Sequence, residues 1–279
     1  MSSEPIHIDV DLLLRNKAQR WYPYIPRPLI HWLERRVHQE EMNEFLANNV
    51  GVEGIDFADA ALARLDVKSR IIGQERLPAP GQGRYIFASN HPLGGLDGML
   101  LISMLGHLYG SGLRVVVNDM LMQMRPLAKV FLPVNKHGRQ SPDDVKAIND
   151  AYAGDGQMLY FPAGLCSRRQ KCGIIADLDW KKSFIAKSVE YQRPVVPIYF
   201  HGQNSNFFYN LAHWRKKMGI KLNIEMIYLP DEMFRSAGRT FTVVVGETIP
   251  WQEFTGDLSP RQYAAKVRQI VYQLKDQVI

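Results

Sequence analysis

The hydrophobic pattern divides the chain into a helical beginning and a longer part in which strands and helices alternate. From residue 10 to about residue 63, apolar residues recur at three- and four-residue spacing, as at Leu29, Leu33 and Val37, which follow several prolines. A further helix is predicted over residues 57–65. The first part of the chain is therefore expected to be helical.

Beyond Ile71, short apolar runs rich in β-branched and aromatic residues alternate with helix-like stretches, a pattern typical of α/β proteins. Several of these runs are too apolar for a sheet with one face in water, which favours a mostly parallel central sheet flanked by helices. The predicted strands are 84–89, 113–118, 130–134, 157–161, 195–200, 223–228 and 240–245.

These patterns predict two parts of unequal length, with no internal repeat and no low-complexity tract. Residues 1–70 form an N-terminal helical segment that is a candidate for membrane docking. Residues 71–279 form the α/β domain, which is expected to carry the activity.

Composition and charge agree with a globular chain that has anionic partners. The 279 residues are 46% hydrophobic and 22% charged, enough to bury one sizeable core with an accessory segment. A net charge of +6 favours a membrane surface, a phosphorylated cofactor or nucleic acid, and does not choose among them. The basic residues are dispersed and no nucleic-acid-binding module is recognisable, so we expect no nucleic-acid partner.

Cysteine usage and hydropathy bear on the compartment. Cys166 and Cys172 are too few for a disulfide framework, which favours a reducing cytoplasm, and their spacing without a second pair predicts no metal site. The first residues lack the pattern of a signal peptide. No apolar run reaches the ~20 residues needed to span a bilayer, so the expected contact with a membrane is peripheral.

The segment from Asn90 to Asp97 is the strongest candidate for chemistry. His91 follows a predicted strand, and ligands bind at strand ends in open α/β sheets. A near-neutral imidazole can take a proton from a hydroxyl, and a carboxylate on its other nitrogen fixes the tautomer. Gly94 and Gly95 permit the tight loop that would bring Asp97 to His91. The alternative is that Asp97 only caps the following helix and His91 only satisfies a loop.

The sequence Asn-His-Pro followed shortly by Asp resembles the first motif of the glycerolipid acyltransferases, which include the lysophosphatidic acid acyltransferases. That family usually has four residues between His and Asp, whereas this chain has five, residues 92–96. The resemblance implies that His91 is a general base oriented by Asp97. It also implies that Asn90, Gly94 and Gly95 help to bind substrate.

A second segment, residues 161–168, resembles the third motif of the same family, Phe-Pro-Glu-Gly-Thr-Arg-Ser. Ala163 stands at the family's acidic position, which is implicated in binding a glycerol-phosphate acceptor. The basic residues that follow suit phosphate groups or an acceptor carboxylate, and their alternative role is a solvated turn. The substrate-binding residues implied here are Phe161, Pro162, Gly164, Ser167, Arg168 and Arg169, with Lys171 beside them.

Two weaker matches complete the resemblance, which runs in order from about residue 86 to residue 200. Residues 131–136 resemble the second motif, in which Lys136 or Arg139 would hold phosphate unless this is a solvated turn. Residues 193–198 resemble the fourth motif, an apolar strand thought to line the acyl or acceptor site. Pro197 within this strand predicts a sheet edge or a bulge.

The family resemblance implies acyl transfer from an acyl carrier protein or coenzyme A thioester to a lipid hydroxyl, with no further cofactor. The variant pattern, with the longer first motif and Ala163, resembles the branch that makes amino-acid lipids. The implied acceptor is then a lyso-lipid with a glycine or ornithine head, whose carboxylate would pair with the arginines. Lysophosphatidic acid remains the alternative acceptor.

Other functions stay open at this point. A non-catalytic, haemolysin-like lipid-binding protein would need no His-Asp pair, and a thioesterase would use water as acceptor. Residues 20–36 and 207–217 mix aromatic, aliphatic and basic residues as membrane-interface segments do, although both would also suit helices packed on a core. We expect a cytoplasmic bacterial protein at the inner face of the cell membrane.

Overall fold

A computed structural model describes residues 7–17, 19–20, 22–134, 141–170, 173–220 and 223–278. Within these residues the α-helices are α1 Val10–Lys17, α2 Arg27–Arg36, α3 Gln39–Asn48, α4 Ile55–Arg64, α5 Leu96–Tyr109, α6 Pro142–Ala153, α7 Ser183–Glu190, α8 Asn206–Lys217, α9 Leu229–Phe234 and α10 Pro260–Gln273. The strands are β1 Lys68–Ile72, β2 Ile86–Ser89, β3 Arg114–Asn118, β4 Phe131–Val134, β5 Met158–Tyr160, β6 Arg168–Arg169, β7 Ile175–Ala176, β8 Val195–His201 and β9 Thr240–Val245.

Seven of the strands form one sheet in the order β1-β9-β8-β2-β5-β3-β4. Every neighbouring pair is parallel except β8 and β9, so the predicted mostly parallel α/β fold is confirmed. Strands β6 and β7 form a separate antiparallel pair. The central strand β2 is buried along its whole length, as its apolar sequence predicts.

Two strand assignments differ from the sequence prediction. Residues 223–228 were expected to form a strand, but Ile224–Tyr228 is a 3-10 helix. A strand would place Glu225 and Ile227 on the same face. Instead, the side chain of Glu225 is buried and pairs with Arg215 at 2.8 Å, whereas Ile227 is exposed. Strand β1 was not predicted, because it begins with three exposed polar residues and lies at the sheet edge.

Pro197 lies on an interior strand, so the expectation of an edge is wrong. Its carbonyl oxygen accepts a hydrogen bond from Gly246 N, just past the last register pair of β8 with β9. Pro197 has no N–H, and this missing donor lies where the hydrogen bonding between β8 and β9 ends. Three steps from Val195 to Ile198 oppose four steps from Val245 to Ile249, which places a bulge opposite the proline.

The chain divides into two compact units. The larger unit contains Glu53–Gln203 and Gly238–Ile279, and therefore the whole seven-stranded sheet. The sequence-based boundary near residue 70 divides the chain differently, because α4 packs against α5 within this unit. No helix of the described residues is both long enough and apolar enough to cross a bilayer.

The smaller unit joins Met1–Val52 to Asn204–Ala237, so it contains α1, α2, α3, α8 and α9. Its two chain segments are tied together by charged side chains around Asp231. This mostly buried carboxylate lies 3.4 Å from Arg36, 3.2 Å from His38 and 2.8 Å from Arg235. A later segment of the chain thus completes the helical beginning, which the hydrophobic pattern alone did not predict.

Candidate active site

The loop between β2 and α5 brings His91 and Asp97 together. Gly94 adopts a φ of +82°, a conformation that favours glycine, and α5 begins at Leu96. Nδ1 of His91 lies 3.0 Å from Oδ2 of Asp97, in the first turn of the helix. Five intervening residues therefore accommodate a His-Asp hydrogen bond.

Asp97 is completely buried and receives several hydrogen bonds in addition to that of His91. Leu93 N donates to Oδ2 at 2.9 Å, and Gly98 N donates to Oδ1 at 2.9 Å. Burial is the largest influence on its pKa and would raise it, but the charge of His91 and these hydrogen bonds outweigh burial and lower the pKa. Asp97 is thus held as a carboxylate, suited to orient an imidazole and to stabilise its protonated form.

An apolar cavity of about 240 Å³ opens beside His91 in the larger unit. It extends between α5 and the strands β3, β4 and β5, at the carboxyl ends of parallel strands. Such a cavity suits a hydrocarbon chain, because apolar surface is stabilised away from water. Its apolar lining includes Met99, Ile102, Val115, Val117, Leu121, Met124, Leu127 and Phe131.

Residues of the third-motif segment lie beside His91 at this cavity. The ring of Phe161 packs on the imidazole with centroids 4.3 Å apart, and Pro162 and Gly164 also line the cavity. Lys181 adds a cation to the lining, and its backbone N–H donates to Pro162 O at 3.0 Å. No sequence pattern singled out Lys181.

Two backbone amides beside the cavity already have hydrogen-bond acceptors within the protein. Gly94 N donates to Asp97 at 3.4 Å, and Gly164 N donates to Phe161 O at 3.0 Å. Gly95 is the residue directly before α5 and also lines the cavity.

Asp177 is a buried carboxylate in this region that the sequence reasoning missed. It accepts hydrogen bonds from His91 N at 3.2 Å and from Ser167 Oγ at 2.6 Å. Burial, the largest influence, raises its pKa above the usual aspartate range, although its hydrogen bonds act in the opposite direction. Its one sequence signal is an acidic residue directly after the apolar pair Ile175-Ala176.

Several predicted binding residues do not line the cavity. The side chain of Asn90 is buried and exchanges hydrogen bonds with the backbone of Phe200, which joins the ends of β2 and β8. Arg168 donates to the carbonyl oxygens of Cys166 and Ser167. Three further predicted residues also lie outside the cavity lining: Ser167, Arg169 in β6, and Pro197, which is buried in the sheet.

The remaining sequence-predicted cations and the second cysteine lie outside the described residues: Lys136, Arg139, Lys171 and Cys172. Within the part of the chain that the structure describes, no three histidine, cysteine or acidic side chains cluster as a metal site would require. Cys166 is buried beside Arg168, whose guanidinium contacts its sulfur at 2.8 Å.

Comparison with known proteins places these features in a family. The sequence model of the acyltransferase family matches residues 12–278. A lyso-glycine lipid O-acyltransferase of Bacteroides thetaiotaomicron is 49% identical over 267 residues, covering 96% of this chain and 97% of that protein. A lyso-glycine lipid O-acyltransferase of Phocaeicola vulgatus is 47% identical over 267 residues, covering 96% of this chain and 95% of that protein.

Among solved structures, the 1-acyl-sn-glycerophosphate (LPA) acyltransferase PlsC of Thermotoga maritima is similar with a TM-score of 0.48 and 15% sequence identity. The similarity covers 95% of each chain.

Proposed function

Since the chain belongs to the acyltransferase family and is an acyltransferase, we propose that it moves a fatty acyl chain from a thioester to the hydroxyl of a lyso-lipid, with His91 as general base. The observation that carries this proposal is the His91-Asp97 hydrogen bond of 3.0 Å beside an apolar cavity. A base and a site for hydrocarbon are the two elements that such a transfer requires.

In the proposed reaction, Nε2 of His91 takes the proton of the acceptor hydroxyl while its oxygen attacks the thioester carbonyl. The tetrahedral intermediate collapses with cleavage of the carbon–sulfur bond, and the imidazolium returns the proton to the leaving thiolate. Asp97, held ionised by its surroundings, stabilises the imidazolium between these steps. The products are an ester and a free thiol, with no covalent intermediate on the protein.

The developing oxyanion needs a hydrogen-bond donor. Because the amides of Gly94 and Gly164 are directed at acceptors within the protein, we assign this task to the amide of Gly95 at the start of α5. The partial positive charge at a helix N-terminus would strengthen such a bond.

We propose a lyso-glycine lipid as acceptor and an acyl carrier protein or coenzyme A thioester as donor. The acceptor is supported by the names of two relatives that are each nearly half identical and match over almost their whole lengths. Ala163, small and buried, agrees with it, because no acidic side chain at this position would repel the carboxylate of a glycine head. Lysophosphatidic acid and lyso-ornithine lipid are the acceptors to compare.

The reaction would take place at an anionic membrane surface on the inner face of the cell membrane. In the smaller unit, α8 buries one face through Phe208 and Ala212. A second apolar stripe points outward, where Phe207 is 52% exposed and Trp214 and Met218 are each 62% exposed. The last turn also carries Lys216 and Lys217, so charge favours acidic headgroups as the partner of this face.

A product analysis tests this function. The purified protein is incubated with acyl carrier protein and coenzyme A thioesters of an isotope-labelled fatty acid, together with lyso-glycine lipid, lyso-ornithine lipid or lysophosphatidic acid, and products are identified by mass. We expect labelled glycine lipid as the main ester. Preferential formation of phosphatidic acid would contradict the acceptor, and labelled fatty acid released without regard to acceptor would contradict transfer.

A further inference from the structure

The backbone N–H and the backbone carbonyl of His91 both form hydrogen bonds with the segment that follows Gly164. Its N–H donates to Asp177 at 3.2 Å from Oδ1 and 3.3 Å from Oδ2. Its carbonyl oxygen accepts a hydrogen bond from Ser167 N at 2.8 Å. The position of the His91 residue therefore depends on residues 76 and 86 positions further along the chain.

Asp177 is itself tightly held. Its carboxylate also accepts hydrogen bonds from Ser167 Oγ at 2.6 Å and Trp180 Nε1 at 3.0 Å, and the residue is 1% exposed. Helix α10 fixes its backbone, because Asp177 N donates to Tyr272 Oη at 2.7 Å and Arg268 donates to Asp177 O at 2.8 Å. The carboxylate is thus anchored from the third-motif segment and from α10 at once.

We propose that Asp177 is a positioning residue, which holds His91 in the place where its imidazole meets Asp97 and the cavity. The proposal rests on the proposed function of His91 as base. Asp97 orients the ring through Nδ1, whereas Asp177 fixes the backbone that carries the ring. Misplacement of a catalytic group by about 1 Å can cost on the order of 100-fold in rate, so a backbone anchor of this kind matters for catalysis.

The ionised form of Asp177 adds an electrostatic contribution. Burial, the largest influence, raises its pKa, while the hydrogen bonds of Ser167, Trp180 and His91 and the charge of His91 act in the opposite direction. The other charged or titratable groups that face it are Arg268 and Tyr272 of α10 and Tyr199 of β8. Both tyrosines have a raised pKa, chiefly through burial. When Asp177 is ionised, its negative charge near His91 favours the imidazolium that forms during acyl transfer.

The test uses full-length Asp177→Asn, with Asp179→Asn as matched control, because Asp179 lies two residues away and is 92% exposed in an ion pair with Arg261. For Asp177→Asn we expect kcat to fall roughly 10- to 100-fold, with less than a threefold change of KM for the donor. The acidic limb of the kcat/KM profile should move to lower pH, because the amide no longer favours the imidazolium. The control should match the wild type in all three.

Histidine-labelled NMR separates this proposal from the proposed function, because it reads the His91 imidazole without turnover; His91→Ala assigns the signal. In Asp177→Asn we expect its titration midpoint to move to lower pH and its resonance to change, as Asp179→Asn should not. A wild type with no acyl transfer would contradict the function and leave this readout intact. An unchanged His91 titration together with wild-type kcat in Asp177→Asn would overturn the positioning role.

Should Asp177→Asn not fold, Ser167→Ala and Trp180→Phe each remove one donor to Asp177 and leave both carboxylates in place. We expect each to lower kcat several-fold at an unchanged donor KM, and to shift the His91 resonance. Wild-type kcat and an unaltered His91 resonance in both folded variants would overturn the proposal.

Discussion

The carboxylate of Asp97 is enclosed by groups that favour its charge. His91 Nδ1 and the amides of Leu93, Gly94 and Gly98 surround its two oxygens, and no part of the residue is exposed. An unpaired charge in such a place would be strongly unfavourable. The loop with five residues between His and Asp therefore keeps its hydrogen-bonded pair through backbone amides that the loop itself supplies.

The free energy of unfolding should depend on pH through the ionisation of Asp97. Because its pKa in the folded protein lies below the unfolded value, its ionised form stabilises the fold above the unfolded pKa of about 3.9, and this contribution is lost as pH falls through the folded pKa. We expect the loss of unfolding free energy in Asp97→Asn to persist from neutral pH to mildly acidic pH. It should shrink below about pH 4.

Urea unfolding at a series of pH values measures this difference, with reversibility checked at each pH. A difference that stays constant through the acidic range would show that the folded pKa of Asp97 is not lowered.

The first-motif residues could be predicted from sequence because a recognisable spacing places them on one short loop. Asp177 could not, because its link to His91 spans 86 residues and depends on how the β6–β7 pair folds back. Lys181 could not be predicted either, because it is far from His91 in the sequence and reaches the cavity only through the fold. Arg168, predicted to bind substrate, is directed at carbonyls of its own loop, an arrangement that composition does not reveal.

At the scale of elements, strand prediction succeeded where apolar residues are buried on both faces, as in β2 and β8. It failed for β1, whose exposed polar residues hide an edge strand, and for Ile224–Tyr228, where a buried ion pair replaces apolar burial. The cavity forms where α5 packs against the ends of β3, β4 and β5. No single segment of the sequence shows which helix will pack against which strands.

The cavity can be tested by filling it from α5. A Cβ on Gly98 would meet no atom within 4 Å, and Gly98 lines the cavity, so Gly98→Leu should occupy space without disturbing the helix. Each methylene withdrawn from water contributes ~0.8 kcal/mol, so we expect palmitoyl transfer to fall roughly tenfold or more while octanoyl transfer changes little.

Chain-length profiles of kcat/KM measure the effect, with Gly98→Ala as the matched control that should keep the wild-type profile. Equal losses for palmitoyl and octanoyl donors in Gly98→Leu would argue that the cavity does not hold the acyl chain.

The outward stripe of α8 makes a prediction about membrane contact. Burying a large apolar side chain contributes about 1.5–3 kcal/mol, so Trp214→Ser should weaken binding to phosphatidylglycerol vesicles by roughly tenfold. Tyr24→Ser is the matched comparison, because Tyr24 is 79% exposed and belongs to the other predicted docking segment. Vesicle co-sedimentation decides between them: a loss with Tyr24→Ser and none with Trp214→Ser would contradict the assignment to α8.

At the scale of the whole chain, each unit is built from two segments that are far apart in the sequence. Residues 204–237 join the N-terminal helices, and residues 238–279 add β9 and α10 to the sheet-containing unit. Helix α10 in turn holds Asp177 through Tyr272 and Arg268, so the end of the chain supports the candidate site. The sequence suggested a helical beginning and an α/β domain, but these returns arise from long-range packing.

Close backbone packing within the sheet-containing unit gives a test of the fold. A Cβ on Gly156, which precedes β5, would collide with the carbonyl oxygen of Gly112, which precedes the neighbouring β3. Backbone cannot move aside as a side chain can, so Gly156→Ala should lower the free energy of unfolding by about 1–3 kcal/mol. Urea denaturation checks this against Gly98→Ala, and equal stability of Gly156→Ala and wild type would contradict the packing.

The rate of acyl transfer by His91→Ala tests the central claim most directly. Its matched control is His107→Ala, because His107 lies on α5, is 66% exposed and also pairs with an aspartate, Asp59, at 2.7 Å. With labelled thioester and lyso-glycine lipid, we expect His91→Ala to lower kcat by about 10²- to 10⁴-fold while His107→Ala retains the wild-type rate. A folded His91→Ala protein that forms glycine lipid at the wild-type rate would contradict the account.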